Sequence, residues 1–232
     1  MKALKMISLL VVMFIAAASI AAEPISQLAP IDHVYSPKGF DSNDNVEVII
    51  EGHLPNLCWK SPKAEVMISG KNININVKAL NYENDNVFCA EAIVPYLLPV
   101  EVGLLDKGNY RVFVNGVEDS AMFIDESSSD AVDDHVYANV EYIERDLGSR
   151  IVQLKGYNPS ECFVYDRMEI SNNGQDVYSV LPVMEQVSDF CPMKMVPFSI
   201  DMEVPKDLQA EKVLLHVRAM DGKSVNALFI NK

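Results

Sequence analysis

At 232 residues, 49% of them apolar, the chain is long enough for two hydrophobic cores of about 100 residues each. A formal net charge of −14 repels nucleic acid and anionic lipid and excludes both as expected partners. Such a surface favours cationic partners or serves solubility.

The N-terminus reads as a secretory signal peptide over residues 1–22. Lys2 and Lys5 give a basic start, Met6 to Ala18 is an uncharged apolar run, and Ala21 and Ala22 precede Glu23 and Pro24. Cleavage is expected after Ala21 or Ala22. An uncleaved anchor is the alternative, but the run is shorter than the ~20 residues of a membrane span. The most apolar later stretch, Ala92 to Leu105, is interrupted by Pro95, Pro99 and Glu101. No membrane insertion is expected once the signal is removed. The protein is therefore expected to be exported, to the periplasm or the medium.

Beyond the signal, period-two alternation dominates. Val46, Val48 and Ile50 alternate with Glu47, Ile49 and Glu51. Ile73, Ile75 and Val77 alternate with asparagines. Tyr110, Val112 and Val114 alternate with Arg111 and Phe113, and Val213, Leu215 and Val217 repeat the pattern. These segments predict strands with one buried face. Turn chemistry separates them at Ser69-Gly70-Lys71-Asn72, Asp106-Lys107-Gly108-Asn109, Asn172-Asn173-Gly174 and Asp221-Gly222.

An internal repeat sets the architecture. Asp32-His33-Val34-Tyr35 recurs as Asp134-His135-Val136-Tyr137. Gly52, Pro55 and Cys58-Trp59 recur as Gly156, Pro159 and Cys162-Phe163. Phe88-Cys89 recurs as Phe190-Cys191, and Val94-Pro95-Tyr96 as Val196-Pro197-Phe198. The offset stays between 102 and 104 residues. Matched landmarks in one order indicate duplication: a first β-sandwich domain over 31–124, an acidic, Ser-rich linker over 125–133, and a second β-sandwich domain over 134–232. The repeat pairs Cys58 with Cys89 and Cys162 with Cys191, since a copied domain keeps an intradomain bridge. Other connectivities are formally open. An exported chain with four cysteines suits two disulfides.

Residues Leu105 to Val114 read L-x-x-G-x-Y-x-V-x-V around Tyr110. The motif resembles the tyrosine-corner strand of immunoglobulin-like and fibronectin-type sandwiches. Val213 replaces the tyrosine in the second copy, and Cys89 lies well before Tyr110, unlike the antibody bridge. The whole chain resembles exported bacterial proteins with tandem sandwich domains. That resemblance implies an all-β fold of two tandem antiparallel, immunoglobulin-like sandwiches and carries no activity with it.

The chemistry-bearing residues form no enzymatic signature. The four histidines are His33, His53, His135 and His216, and no Gly-x-Ser-x-Gly elbow is present. Asp41, Asn43 and Asn45 begin like a calcium loop, but Val46 and Gly52 stand where its Gly and Glu belong. Asp125, Glu126, Asp130, Asp133 and Asp134 form either a solvated linker or a calcium site between domains. No other metal set and no cofactor is expected. The repeated His33, Tyr35, His135 and Tyr137 are either a duplicated contact site or fold-specifying residues of a first strand. Trp59 and Phe163 are expected to pack on their bridges, with exposed binding anchors as the alternative.

The reading is an exported, non-catalytic binding or structural module whose partner is a protein or glycan. Alternatives are an inhibitor of a basic enzyme, a periplasmic chaperone-like protein, or a hydrolase with a spatially assembled site.

Overall fold

The computed structural model describes residues 23–231 except 86, 129–132 and 147. The expected signal segment lies outside the described residues. The fold is all-β. Its N-terminal half holds β1 (Ile25–Leu28), β2 (Ile31–Tyr35), β3 (Phe40–Asp41), β4 (Val46–Leu54), β5 (Trp59–Ser69), β6 (Asn72–Asn81), β7 (Val94–Gly103), β8 (Gly108–Val114) and β9 (Val117–Asp125). Its C-terminal half holds β10 (Val136–Tyr137), β11 (Val140–Arg145), β12 (Ile151–Asn158), β13 (Phe163–Asn172), β14 (Val177–Gln186), β15 (Val196–Glu203), β16 (Lys212–Ala219) and β17 (Lys223–Ile230).

Each half is a sandwich of two sheets. In the first, the order β1-β6-β8-β9-β3, with β5 also on β6, faces the three-stranded sheet β2-β4-β7. In the second, β10-β14-β16-β17, with β13 also on β14, faces β11-β12-β15. The pairing of β6 with β8 is parallel, as is that of β14 with β16. One core gathers Val46, Val48 and Ile50 against Ile73, Ile75, Val112 and Ile124. The other gathers Val152 and Leu154 against Val180, Val213, Leu215 and Val217.

The sequence landmarks map onto shared geometry. Cys58–Cys89 and Cys162–Cys191 are the two bridges. Trp59 pairs with Asn81 and Phe163 with Gln186 at the same point of the sheet, and both rings pack half-buried against their cores. Gly52 and Gly156 are required by close approach. A Cβ at Gly52 would lie 2.4 Å from the Pro30 carbonyl and from the Tyr96 hydroxyl, and one at Gly156 would lie 2.0 Å from the Asn139 carbonyl. Tyr110 closes the expected corner, its hydroxyl donating to the Asp106 carbonyl at 2.8 Å. Where Val213 replaces it, Tyr178 ties down the segment before β16 instead. Its hydroxyl donates to Asp207 at 2.7 Å and accepts from the Leu208 amide at 3.1 Å.

One landmark does not map. Ile31 pairs with Gly52 and Val140 with Gly156, each followed by a bulge. His33 therefore corresponds to Tyr142, and Tyr35 to Glu144. The Asp-His-Val-Tyr of the first half lies in β2 on the small sheet, whereas Val136-Tyr137 forms β10 on the large one. The register overrides the local sequence match, because the glycine crossing fixes which residue opposes β4 and β12.

The halves are not independent bodies. The outer face of β2-β4-β7 packs on the outer face of β14-β16-β17. Tyr35 and Ile49 meet Val177 and Leu214, with Leu97 and Leu228 at the margin. Burying side chains of this size contributes about 1.5–3 kcal/mol each. Strands β4 and β16 are thus buried on both faces, not on the one face that simple alternation implies. Of the segment read as a linker, Asp125 belongs to β9, Ser127 bonds Ser42, and Asp133 reaches Arg218 at 3.0 Å. Asp125, Ser127 and Asp133 of the segment read as a solvated linker are thus held by contacts with the folded halves.

Candidate functional site at the seam between the halves

Polar side chains surround the apolar centre of the joint. At one margin Arg218 of β16 crosses to Asp44 in the turn before β4, with Nη1 2.9 Å from Oδ2, and donates to the Gly39 carbonyl at 3.2 Å. Its guanidinium also lies 5.2 Å from the Tyr137 ring. Burial pushes the Tyr137 hydroxyl up to about 12, the Arg218 charge opposing it in part. Burial likewise raises the Asp133 carboxyl above its ordinary range against the pull of Arg218.

Deeper in the joint, Glu47 of β4 accepts from Ser224 at 2.5 Å and from Asn226 at 3.4 Å. His216 is fully buried there. Its Nδ1 donates to the Asn226 side-chain Oδ1 at 2.8 Å, while Nε2 has no partner among the described residues. Its ring meets Phe40 edge-on at 5.6 Å. Burial lowers its pKa from the ordinary 6.5, Glu47 3.8 Å away pulls upward, and Arg218 adds to the lowering.

The folded chain therefore holds His216 neutral where the unfolded chain would take a proton. Its contribution to stability is complete above about pH 6.5 and is lost as pH falls through the lowered folded value. The melting temperature is expected to fall between pH 7.5 and 5.5 in the native protein, above the range where carboxylates titrate. In His216→Gln that slope should flatten. Parallel slopes in calorimetry of the two proteins would remove His216 as the cause.

Two clefts open along the seam. The first, of about 420 Å³, is lined by Asp32, His33, Tyr35, Glu51, Asp176 and Lys212. Its groups hold one another. His33 Nε2 donates to Asp176 at 2.6 Å, Tyr35 donates to Glu51 at 2.9 Å, and Lys212 reaches Glu51 at 2.6 Å. Burial and then Glu51 raise the Tyr35 hydroxyl well above its ordinary range. His53 donates to Asp32 at 2.9 Å beside it. The second cleft, of about 380 Å³, lies between the segment after β2, the outer side of β8 and β9, and the turn before β14.

The sequence leaves His33, Tyr35, His135 and Tyr137 as either a duplicated contact site or fold-specifying residues of a first strand. The structure places His33 and Tyr35 together at the first cleft, rings 4.5 Å apart. It places His135 elsewhere, exposed and 3.5 Å from Arg167, and buries Tyr137 under Arg218. Asp176, Lys212 and Arg218 were not foreseen. The unbroken apolar run Val213-Leu214-Leu215 was their available signal, since it marks a strand buried on both faces. Among the described residues no cluster of three or more His, Cys, Asp or Glu is placed to hold a metal, and Asp130 of the calcium alternative lies outside them.

Residues 48–123 match the family model of the ORF11 β-sandwich domain. The matched span runs from within β4 to within β9, so it covers most of the first sandwich, including Cys58, Cys89 and the Tyr110 corner. No curated protein and no solved structure matches the chain.

Proposed function

We propose that this chain is an exported, non-catalytic binding module of the cell envelope or extracellular space, with a protein or glycan as its partner. The observation that carries the reading is the joint. Two sandwiches locked face to face present loops and clefts at fixed positions, as a recognition scaffold does. Two disulfides suit an oxidising compartment, and among the described residues no helix is long and apolar enough to cross a membrane. The hydrogen-bond partners of the four histidines are Asp176, Asp32, Arg167 and Asn226, none of them a hydroxyl or thiol that a histidine base would activate. Phe88 and Phe190, each beside a bridging cysteine, are 93% and 86% exposed and offer apolar contact points.

The test starts from native protein. Fractionation should recover it outside the cytoplasm, with mass spectrometry giving an N-terminus at Ala22 or Glu23. Quantitative cross-linking in the intact envelope should then join it to one envelope or extracellular component at near-stoichiometric yield. A cytoplasmic chain that still begins at Met1 would sink the reading.

A further inference from the structure

The second seam cleft differs from the first in what its side chains are doing. Around His33 the polar groups are paired with one another. In the second cleft Lys38, Asn109, Asp125 and Gln175 make no side-chain hydrogen bond among the described residues. They come from both halves: Lys38 follows β2, Asn109 and Asp125 lie on β8 and β9, and Gln175 sits in the turn before β14. Phe123, 53% exposed, stands directly across the β8–β9 ladder from Asn109. Besides Asn173, whose amide is already bonded, the cleft thus joins two unpaired amides, one cation, one anion and one open aromatic face around about 380 Å³.

From this arrangement we propose that the second cleft binds a neutral saccharide, a proposal that rests on the binding-module reading and names its ligand class. A sugar hydroxyl both donates and accepts, and so does a carboxamide, so Asn109 and Gln175 match it in either sense. Lys38 donates only and Asp125 accepts only, and together they add no net charge. The Phe123 ring offers an apolar face for the C–H side of a pyranose. An anionic ligand would meet Asp125 inside a strongly acidic protein, and a lipid chain would leave four polar groups unpaired. A cationic peptide finds more carboxylate at the first cleft, where Asp32, Glu51 and Asp176 converge. The large sheet continues outward from Asn109 as a polar face. Arg111 is next but one along β8, and its Nε donates to the Asn72 side-chain Oδ1 at 3.1 Å. Same-face side chains repeat at about 6.8 Å along a strand, so the platform can carry further sugar units.

The experiment presents the full mature chain with an array of neutral oligosaccharides, sialylated and sulfated oligosaccharides as the anionic arm, and polylysine as the cationic arm. Array signals are followed by calorimetric titration. Saturable binding of a neutral oligosaccharide is expected, weakened at least tenfold in Phe123→Ala and in Asn109→Ala, with melting temperatures unchanged because both side chains are exposed. Neutral binding that these variants leave intact would overturn the cleft assignment. Binding of polylysine or anionic glycans alone would overturn the saccharide inference and leave the binding-module reading standing. No saturable binding in any arm, together with failure of the cross-linking test, would remove both.

Discussion

Replacing Arg218 by Met is expected to destabilise the protein by about 3–5 kcal/mol. Asp44 and Arg218 are both buried, and Asp133 shares the guanidinium. Removing the cation leaves one carboxylate buried without compensation and a second with less. The reverse change, Asp44→Asn in the Arg218→Met background, should recover part of the loss, because a neutral amide no longer needs a counter-charge. For a chain of this length the single variant should melt about 6–20 °C lower. The contact spans the two halves, so the loss should also be visible as faster backbone hydrogen exchange in β4 and β16 together. If Arg218→Met melted within 2 °C of the native protein, the ion pair would be an accessory to the joint and not part of what holds it.

Replacing Cys58 and Cys89 together by Ala should cost about 3–4 kcal/mol, from the chain entropy of a loop of 31 residues. Were the sandwiches independent, the second would melt unchanged. The joint predicts otherwise. When the first half unfolds, Val177 and Leu214 lose Tyr35 and Ile49, and Arg218 loses Asp44. Calorimetry should therefore show both halves melting earlier, by about 6–16 °C for the first and less for the second. A second transition fixed at its native temperature would mean that the buried contacts across the joint contribute little. Non-reducing peptide mapping checks the pairing on which the experiment depends.

Much of this fold is legible in the residues, because its strongest constraints are local. Cysteine spacing, the two glycines under a crossing strand and the alternation of Val48, Ile50, Ile73 and Ile75 each follow from short-range geometry. The corner at Tyr110 is of the same kind, since its hydroxyl reaches a carbonyl only four residues away. The joint is not local. Nothing near Glu47 announces that Ser224 and Asn226 will hold it, and nothing near His33 announces Asp176. The misplaced equivalence of His33 with His135 has the same origin. Four matching letters carry less information than one ladder anchored at Gly52 and Gly156, and a ladder becomes visible only when the chain is folded. Of the seam clefts, the sequence reached His33 and Tyr35 and missed Asn109, Phe123 and Gln175, whose proximity depends on how one sandwich sits on the other.

The faces that meet at the joint differ in chemistry from their counterparts on the outside of the pair. Ladder positions equivalent to Val177, Leu214 and Leu228 in the first half hold Asn72, Arg111 and Ala121. Those equivalent to Tyr35, Ile49 and Leu97 in the second half hold Glu144, Gln153 and Ser199. At these three positions each sandwich is thus apolar toward its neighbour and polar or small toward the outside. Had both sandwiches carried the same side chains at these positions, the pair would have presented two mutually complementary surfaces. Head-to-tail contacts of that sort do not close and grow into fibres. Solenoid proteins avoid this outcome with polar terminal repeats, and here polar side chains at the outward positions perform the same service.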